Sequence, residues 1–140
     1  MGRSGDGSGV SDAVGERVVV FVCEHGASRS RMAAAWFMLA APPGWRAASA
    51  ALEPAPAVSP NAVRLLAGTV AERLLDHTAP VPLGAVPAAA LLVAIDCEVA
   101  GAARWDLSVA EPCAAMRDEL AVRATTLARA LSPTWTGSGR

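Results

Sequence analysis

Apolar and polar positions along the chain follow two periods, and the change from one to the other outlines the fold. Residues 18–22 and 91–95 are apolar without alternation, as expected of strands covered on both faces. Between residues 32 and 39, apolar side chains instead recur at the spacing of one helix face. The same interpretation predicts strands at 17–22, 45–52, 91–95 and 104–107, with helices at 29–41, from residue 59 onward and at 116–131.

Each of the two later helices is expected to bury one face. Ser59 and Pro60 suit a helix start, because serine caps free amide groups and proline fits the first turn. Gly68 and Thr69 can divide this helix in two. The residues expected to face the core are Val63, Leu66, Val70 and Leu74 here and Met116, Leu120, Leu127 and Leu131 in the last helix.

Strands that alternate with helices predict an α/β fold. We expect a three-layer sandwich, with a parallel sheet of roughly four strands and helices on both faces. The 140 residues suit one domain, which we place at 16–131. Residues 1–15 form a Gly/Ser-rich tail that is expected to be disordered, and residues 132–140 a flexible C-terminal tail.

Composition narrows the classes of partner. Hydrophobic residues make up 53% of the chain, but no apolar run approaches the ~18 residues of a membrane span. A net charge of -1 gives no general attraction to nucleic acid or anionic lipid. Two histidines without clustered ligands predict no metal site. Three cysteines without a signal peptide favour the reducing cytoplasm, and oligomeric state is not indicated.

A thiol-based phosphate-loop spacing joins the first strand to the first helix. Cys23 follows the predicted strand, and Arg29 and Ser30 open the predicted helix. Five residues lie between Cys23 and Arg29: Glu24, His25, Gly26, Ala27 and Ser28. Such a loop can point successive amides at one centre, and the helix N-terminus adds positive potential there. Arg29 can hold a tetrahedral oxyanion with two hydrogen bonds, and the same field favours a Cys23 thiolate.

These residues carry a family resemblance. The apolar strand, the Cys-x5-Arg-Ser loop and the following Met- and Ala-rich helix resemble the low-molecular-weight protein tyrosine phosphatase superfamily, which includes thiol-coupled arsenate reductases. The Cys-Glu-His-Gly variant resembles a less characterised branch of this superfamily, described broadly as low-molecular-weight phosphatases. The family usually has Asn where this chain has Gly26. The resemblance implies hydrolysis of phosphate monoesters through a phosphocysteine, with Cys23 as nucleophile, Arg29 and Ser30 in support, and no cofactor.

The resemblance also implies a general acid, which the family supplies from an Asp-Pro motif late in the chain. This chain has no Asp-Pro, and Glu111-Pro112 is the nearest equivalent. Asp106 is the second candidate, although it falls within a predicted strand. General-acid help is worth about 10²- to 10⁴-fold in rate, so the identity of this group matters.

Two alternatives remain on the same loop. Arsenate reductases of the superfamily resolve the Cys23 adduct with a second thiol, for which Cys97 and Cys113 are candidates, or with an external thiol such as thioredoxin or mycothiol. For each of these cysteines, the favoured interpretation is a buried apolar residue. The other alternative is a regulatory domain that binds an oxyanion without turnover. In each case the expected partner is a small oxyanion or a phosphorylated substrate.

Overall fold

The computed structural model of the chain describes residues 16–86 and 88–133, so the tail predicted at 1–15 and residues 134–140 of the C-terminal tail lie outside the described residues. The described residues form four strands and three α-helices. In chain order they are β1 (Arg17–Cys23), α1 (Arg29–Ala40), β2 (Trp45–Ala51), α2 (Pro60–Leu66), β3 (Leu91–Ile95), β4 (Ala103–Trp105) and α3 (Ala114–Ala130). Two 3-10 helices, Glu72–Leu74 and Leu83–Ala85, lie between α2 and β3.

All neighbouring strands in the sheet are parallel, in the order β2-β1-β3-β4. The chain leaves β1 for β2 on one side and later returns to β3 on the other side. The order therefore reverses at β1, and in such sheets ligands bind beyond the carboxyl ends of the strands at the reversal. Cys23 is the last residue of β1, so the predicted thiol loop lies at this point.

The core is divided by the sheet into two clusters. On one face, alternate β1 residues such as Val19 and Phe21 pack with the buried sides of all three α-helices. On the other face, Val18, Val20 and Val22 are covered by the connection that contains the 3-10 helix Leu83–Ala85. The predicted α/β fold with a four-stranded parallel sheet is confirmed. The layer that covers the second face of the sheet differs from the predicted helical layer, because it consists of one 3-10 turn and extended chain.

The predicted buried face of the second helix is wrong in its register. Ser59 caps the helix as expected, accepting a hydrogen bond from the Asn61 amide at 3.1 Å. The helix buries Ala62, Leu65 and Leu66, while the predicted core residues Val63, Val70 and Leu74 are exposed. The helix ends at Leu66 and Gly68 adopts a positive φ of 78°, so the helical period cannot continue to residue 74.

The buried row of α3 also differs from the prediction. Met116 and Leu120 are buried as expected, but the row continues through Ala124 and Ala128, with Leu127 and Leu131 only partly buried. Residues four apart follow one line along a helix, and small alanines on that line allow a close approach to α1. Among the described residues, no helix is long and apolar enough to cross a membrane.

Candidate active site

The candidate nucleophile lies at the base of the loop between β1 and α1. Cys23 is 4% exposed, and a hydrogen bond of 3.2 Å joins its Sγ to the Ser30 Oγ. Ser30 is itself fully buried in the first turn of α1. A hydroxyl group both donates and accepts, so Ser30 can bond the sulfur of Cys23 in either role.

Each loop carbonyl from Cys23 to Ser28 accepts a hydrogen bond, either from the chain that follows β2 or from α1. Residues 52–59, which follow β2, supply backbone amides to four of them: Cys23, Glu24, His25 and Ala27, at 2.7 to 3.3 Å. Ser28 O accepts from the Met32 amide within α1, and Gly26 O accepts from the Arg31 side chain at 2.7 Å. Because a trans peptide holds its C=O and N–H on opposite sides, the amides of residues 24–29 face the inside of the loop. The loop is thus a cradle of N–H donors.

Gly26 is required by two features of the loop. Its φ is +65°, in the left-handed region that side chains disfavour. A Cβ at this position would also lie 2.7 Å from the Ala51 Cβ, at the end of β2. The prediction that Gly26 supplies a positive φ is confirmed, and the close approach to β2 adds a steric reason.

Ser28 Oγ, at the rim of the cradle, is buried without a hydrogen-bond partner in the described part of the chain. Ser28 precedes α1, but its side chain does not cap the helix. Buried polar groups are normally satisfied, so this unpaired hydroxyl beside the loop indicates room for a ligand. The free amides of the first turn of α1 add to this preference for an anion.

Arg29 is held in place by an acidic residue that the sequence analysis did not select. Its Nε lies 3.1 Å from Asp96 Oδ2, and its Nη2 donates to Ala110 O at 2.6 Å. Asp96 follows β3, has a φ of 55° and accepts from the Leu107 amide at 2.9 Å. The sequence did contain a signal for this residue, because Asp96 directly follows β3, the strand beside β1. The carboxyl ends of neighbouring parallel strands meet at one edge of the sheet, where a ligand is expected to bind.

The two candidate acids differ in their surroundings. Glu111 directly follows Ala110, whose carbonyl binds Arg29, and is exposed. Asp106 accepts from Arg104 Nε at 2.7 Å, and its side chain is 69% exposed. This ion pair occupies the Asp106 carboxylate and directs it toward Arg104. The structure therefore brings the Glu111 segment, rather than the Asp106 side chain, to the arginine of the loop.

The other two cysteines lie on different faces of the sheet. Cys97 belongs to the cluster opposite Cys23, and its Sγ lies 3.6 Å from Val22 O. Burial raises the pKa of the Cys97 thiol, and the negative charge of Cys23 adds to this effect. Cys113 immediately precedes α3 and packs against the same cluster as Cys23. Cys113 therefore lies on the same face of the sheet as Cys23, whereas Cys97 lies on the opposite face but close enough for the charge of Cys23 to act on it.

A cleft of about 490 Å³ opens over the loop. Its floor is formed by loop residues that include Cys23, Ser28 and Arg29, and its wall by residues 55–60. His25 is exposed in this cleft, with its Nδ1 3.1 Å from Glu53 O. No three His, Cys, Asp or Glu side chains converge as metal ligands within the described ranges.

Comparison with solved structures identifies the fold. The arsenate reductase from Archaeoglobus fulgidus DSM 4304 superposes with a TM-score of 0.63 at 29% identity, over 79% of this chain and 98% of that one. A thioredoxin-dependent arsenate reductase from Corynebacterium glutamicum gives 0.64 at 21% identity, over 86% and 68%. A low-molecular-weight protein tyrosine phosphatase from T. tengcongensis gives 0.62 at 20%, over 83% and 100%. No family model and no curated protein sequence matches the chain.

The chain belongs to the superfamily of low-molecular-weight protein tyrosine phosphatases and arsenate reductases. Structures of both kinds of enzyme are among those similar to it. The superfamily fold places Cys23 and Arg29 in one loop, as the sequence predicted. It also reveals Asp96 and Arg31, two charged residues that support the loop and that the sequence analysis passed over.

Proposed function

We propose that this chain is a cysteine-dependent phosphatase that hydrolyses phosphate monoesters through a phosphocysteine. The observation that carries the proposal is the loop itself, in which every carbonyl from Cys23 to Ser28 accepts a hydrogen bond around a buried thiol. Inward amides, the N-terminus of α1 and Arg29 together suit a tetrahedral dianion.

The proposed mechanism uses these groups, with Glu111 as the acid. The Cys23 thiolate attacks phosphorus, forming an S–P bond as the P–O bond to the alcohol breaks. Glu111 donates a proton to the departing oxygen, and Arg29 and the loop amides hold the three equatorial oxygens. Water then attacks the phosphocysteine, giving a proton to Glu111 and releasing phosphate, while the Ser30 hydroxyl stabilises the departing thiolate.

The test is hydrolysis of p-nitrophenyl phosphate by the wild type and Cys23→Ser, with Cys113→Ser as the matched control. The wild type and the control should turn over, and Cys23→Ser should fall to background while still binding inorganic phosphate. Equal rates for the wild type and Cys23→Ser would refute the proposal. If the wild type binds phosphate tightly, as seen by an increase in melting temperature, but shows no turnover, the regulatory alternative is favoured instead.

A second candidate is arsenate reduction, which the position of Cys113 on the Cys23 side of the sheet favours. Cys23 would displace hydroxide from arsenate to form an S–As bond. A second thiolate would then attack Cys23 Sγ, breaking that bond and leaving its electron pair on arsenic. The products are arsenite and a disulfide, which a thioredoxin-class dithiol or mycothiol reduces.

The cysteine variants separate the internal and external routes for arsenate. With an internal route, Cys113→Ser should abolish turnover driven by thioredoxin, whereas Cys97→Ser should retain it. Unchanged turnover in both variants would exclude an internal disulfide and leave only the external thiol. No arsenite from the wild type with either reductant would exclude the activity.

A further inference from the structure

Arg31 is a buried arginine whose side chain is hydrogen-bonded to the loop. It lies in the first turn of α1 and is 2% exposed, beside the fully buried Ser30 and Met32. Its Nε donates to Gly26 O at 2.7 Å, and its Nη1 donates to Asp76 O at 2.6 Å. The guanidinium thus joins the middle of the loop to the segment that follows the first 3-10 helix.

Packing alone does not account for an arginine here. Burial lowers the pKa of Arg31, opposed by the negative charges of Asp76 and Cys23. The Asp76 carboxylate is 3.7 Å away and about half exposed, so it offsets the desolvation only in part. An unbranched apolar side chain such as methionine, although shorter, would pack at this position without burying a charge. The features that only arginine supplies are its charge and its two-pronged donor group.

Gly26 is the loop residue whose carbonyl binds the Arg31 guanidinium. Five of the six carbonyls from Cys23 to Ser28 accept from backbone amides, and the carbonyl of Gly26 accepts from the Arg31 side chain. The planar peptide then directs the Ala27 amide into the cleft, which Ala27 lines. Glycine leaves this peptide free to rotate, and rotation would replace an N–H donor with a carbonyl oxygen. An oxyanion would be repelled by that oxygen.

We propose that Arg31 is a positioning residue of the oxyanion loop, holding the Gly26–Ala27 peptide so that the Ala27 amide donates to the bound oxyanion. The inference rests on the proposed function of the loop and adds a residue that does not touch substrate. Its loss should resemble the loss of one oxyanion donor, about 10²- to 10³-fold in kcat.

The test compares Arg31→Met and Arg31→Lys with the wild type. Arg117→Met is the matched control, because Arg117 also donates to a backbone carbonyl, Leu65 O at 3.4 Å, but lies outside the loop. The probes are inorganic phosphate for binding and p-nitrophenyl phosphate for kcat and KM. Arg31→Met should lower kcat about 100-fold or more and weaken phosphate binding, Arg31→Lys should fall between, and the control should match the wild type.

A merely structural role predicts a different result. Arg31→Met would then melt at a lower temperature but keep the wild-type phosphate affinity and kcat well below that temperature, and this outcome would overturn the proposal. If neither Arg31 variant folds, amide NMR of the wild type decides. The Ala27 proton should move downfield when phosphate is added, and an unmoved Ala27 resonance beside shifted loop neighbours refutes the inference. A wild type that neither binds phosphate nor turns over refutes the proposed function itself.

Discussion

Replacing Gly26 with alanine tests the loop geometry most directly. The variant must place a side chain at a φ of +65°, with its Cβ 2.7 Å from the Ala51 Cβ and 3.3 Å from the backbone of Ala50. The left-handed conformation costs an L-residue about 1–2 kcal/mol. Forcing a methyl group into a packed site costs about 1–3 kcal/mol. We therefore expect Gly26→Ala to lower the free energy of unfolding by about 2–5 kcal/mol, out of a typical 5–15 kcal/mol.

A matched glycine separates the two contributions. Gly68 has a φ of +78° but nothing within 4 Å of an added Cβ, so Gly68→Ala should show the conformational cost alone. Ala51→Gly removes the clashing methyl group, and in the double variant it should recover part of the Gly26→Ala loss. The expected coupling is about 1 kcal/mol or more, in the favourable direction.

The free energy of unfolding is measured by guanidinium denaturation for the wild type, the three single variants and the double variant. The dependence of that free energy on denaturant concentration should be the same for all five proteins. Phosphatase activity of folded Gly26→Ala should also fall, because the clash displaces the loop. The reasoning is refuted if Gly26→Ala is no less stable than Gly68→Ala, or if the double variant shows no coupling. Either result would mean that the loop does not approach β2 as closely as described.

Three further predictions concern charge and protonation. Asp96→Asn should reduce kcat/KM about 10- to 100-fold, because it releases Arg29. The free energy of unfolding should change by less than about 1 kcal/mol, because the ion pair is partly exposed. An unchanged kcat/KM would contradict this prediction. Glu111→Gln should slow phenyl phosphate more than p-nitrophenyl phosphate, since the poorer leaving group needs the proton more; if Asp106→Asn shows this selectivity instead, the acid is misassigned. Because burial raises the Cys97 pKa, its neutral thiol stabilises the fold below about pH 9, and this contribution is lost as pH rises through the folded pKa. Cys97→Ala should therefore flatten the loss of stability at alkaline pH, and an unchanged pH profile would count against the assignment.

Much of the fold could be predicted from local patterns. The strands 17–22 and 91–95 were predicted within one residue, because an apolar run without alternation is typical of a strand buried on both faces. The loop was found from the spacing of Cys23 and Arg29 and from the glycine between them. These patterns involve residues that are close in sequence, so they can be recognised without knowing the tertiary structure.

The sequence alone determined the parallel α/β class, and it also led to the prediction of Cys23 as the nucleophile and Arg29 as the oxyanion ligand. Only the tertiary structure decided which groups from distant parts of the chain support them. Asp96 and Ala110 reach Arg29 because parallel strands end at one edge, and Arg31 reaches Gly26 because α1 turns its first residues beneath the loop. Cys97 and Cys113 are separated by the sheet, since the side of a strand or helix on which a residue lies is set by packing. The spacing of the cysteines along the chain does not indicate which face of the sheet each one lies on.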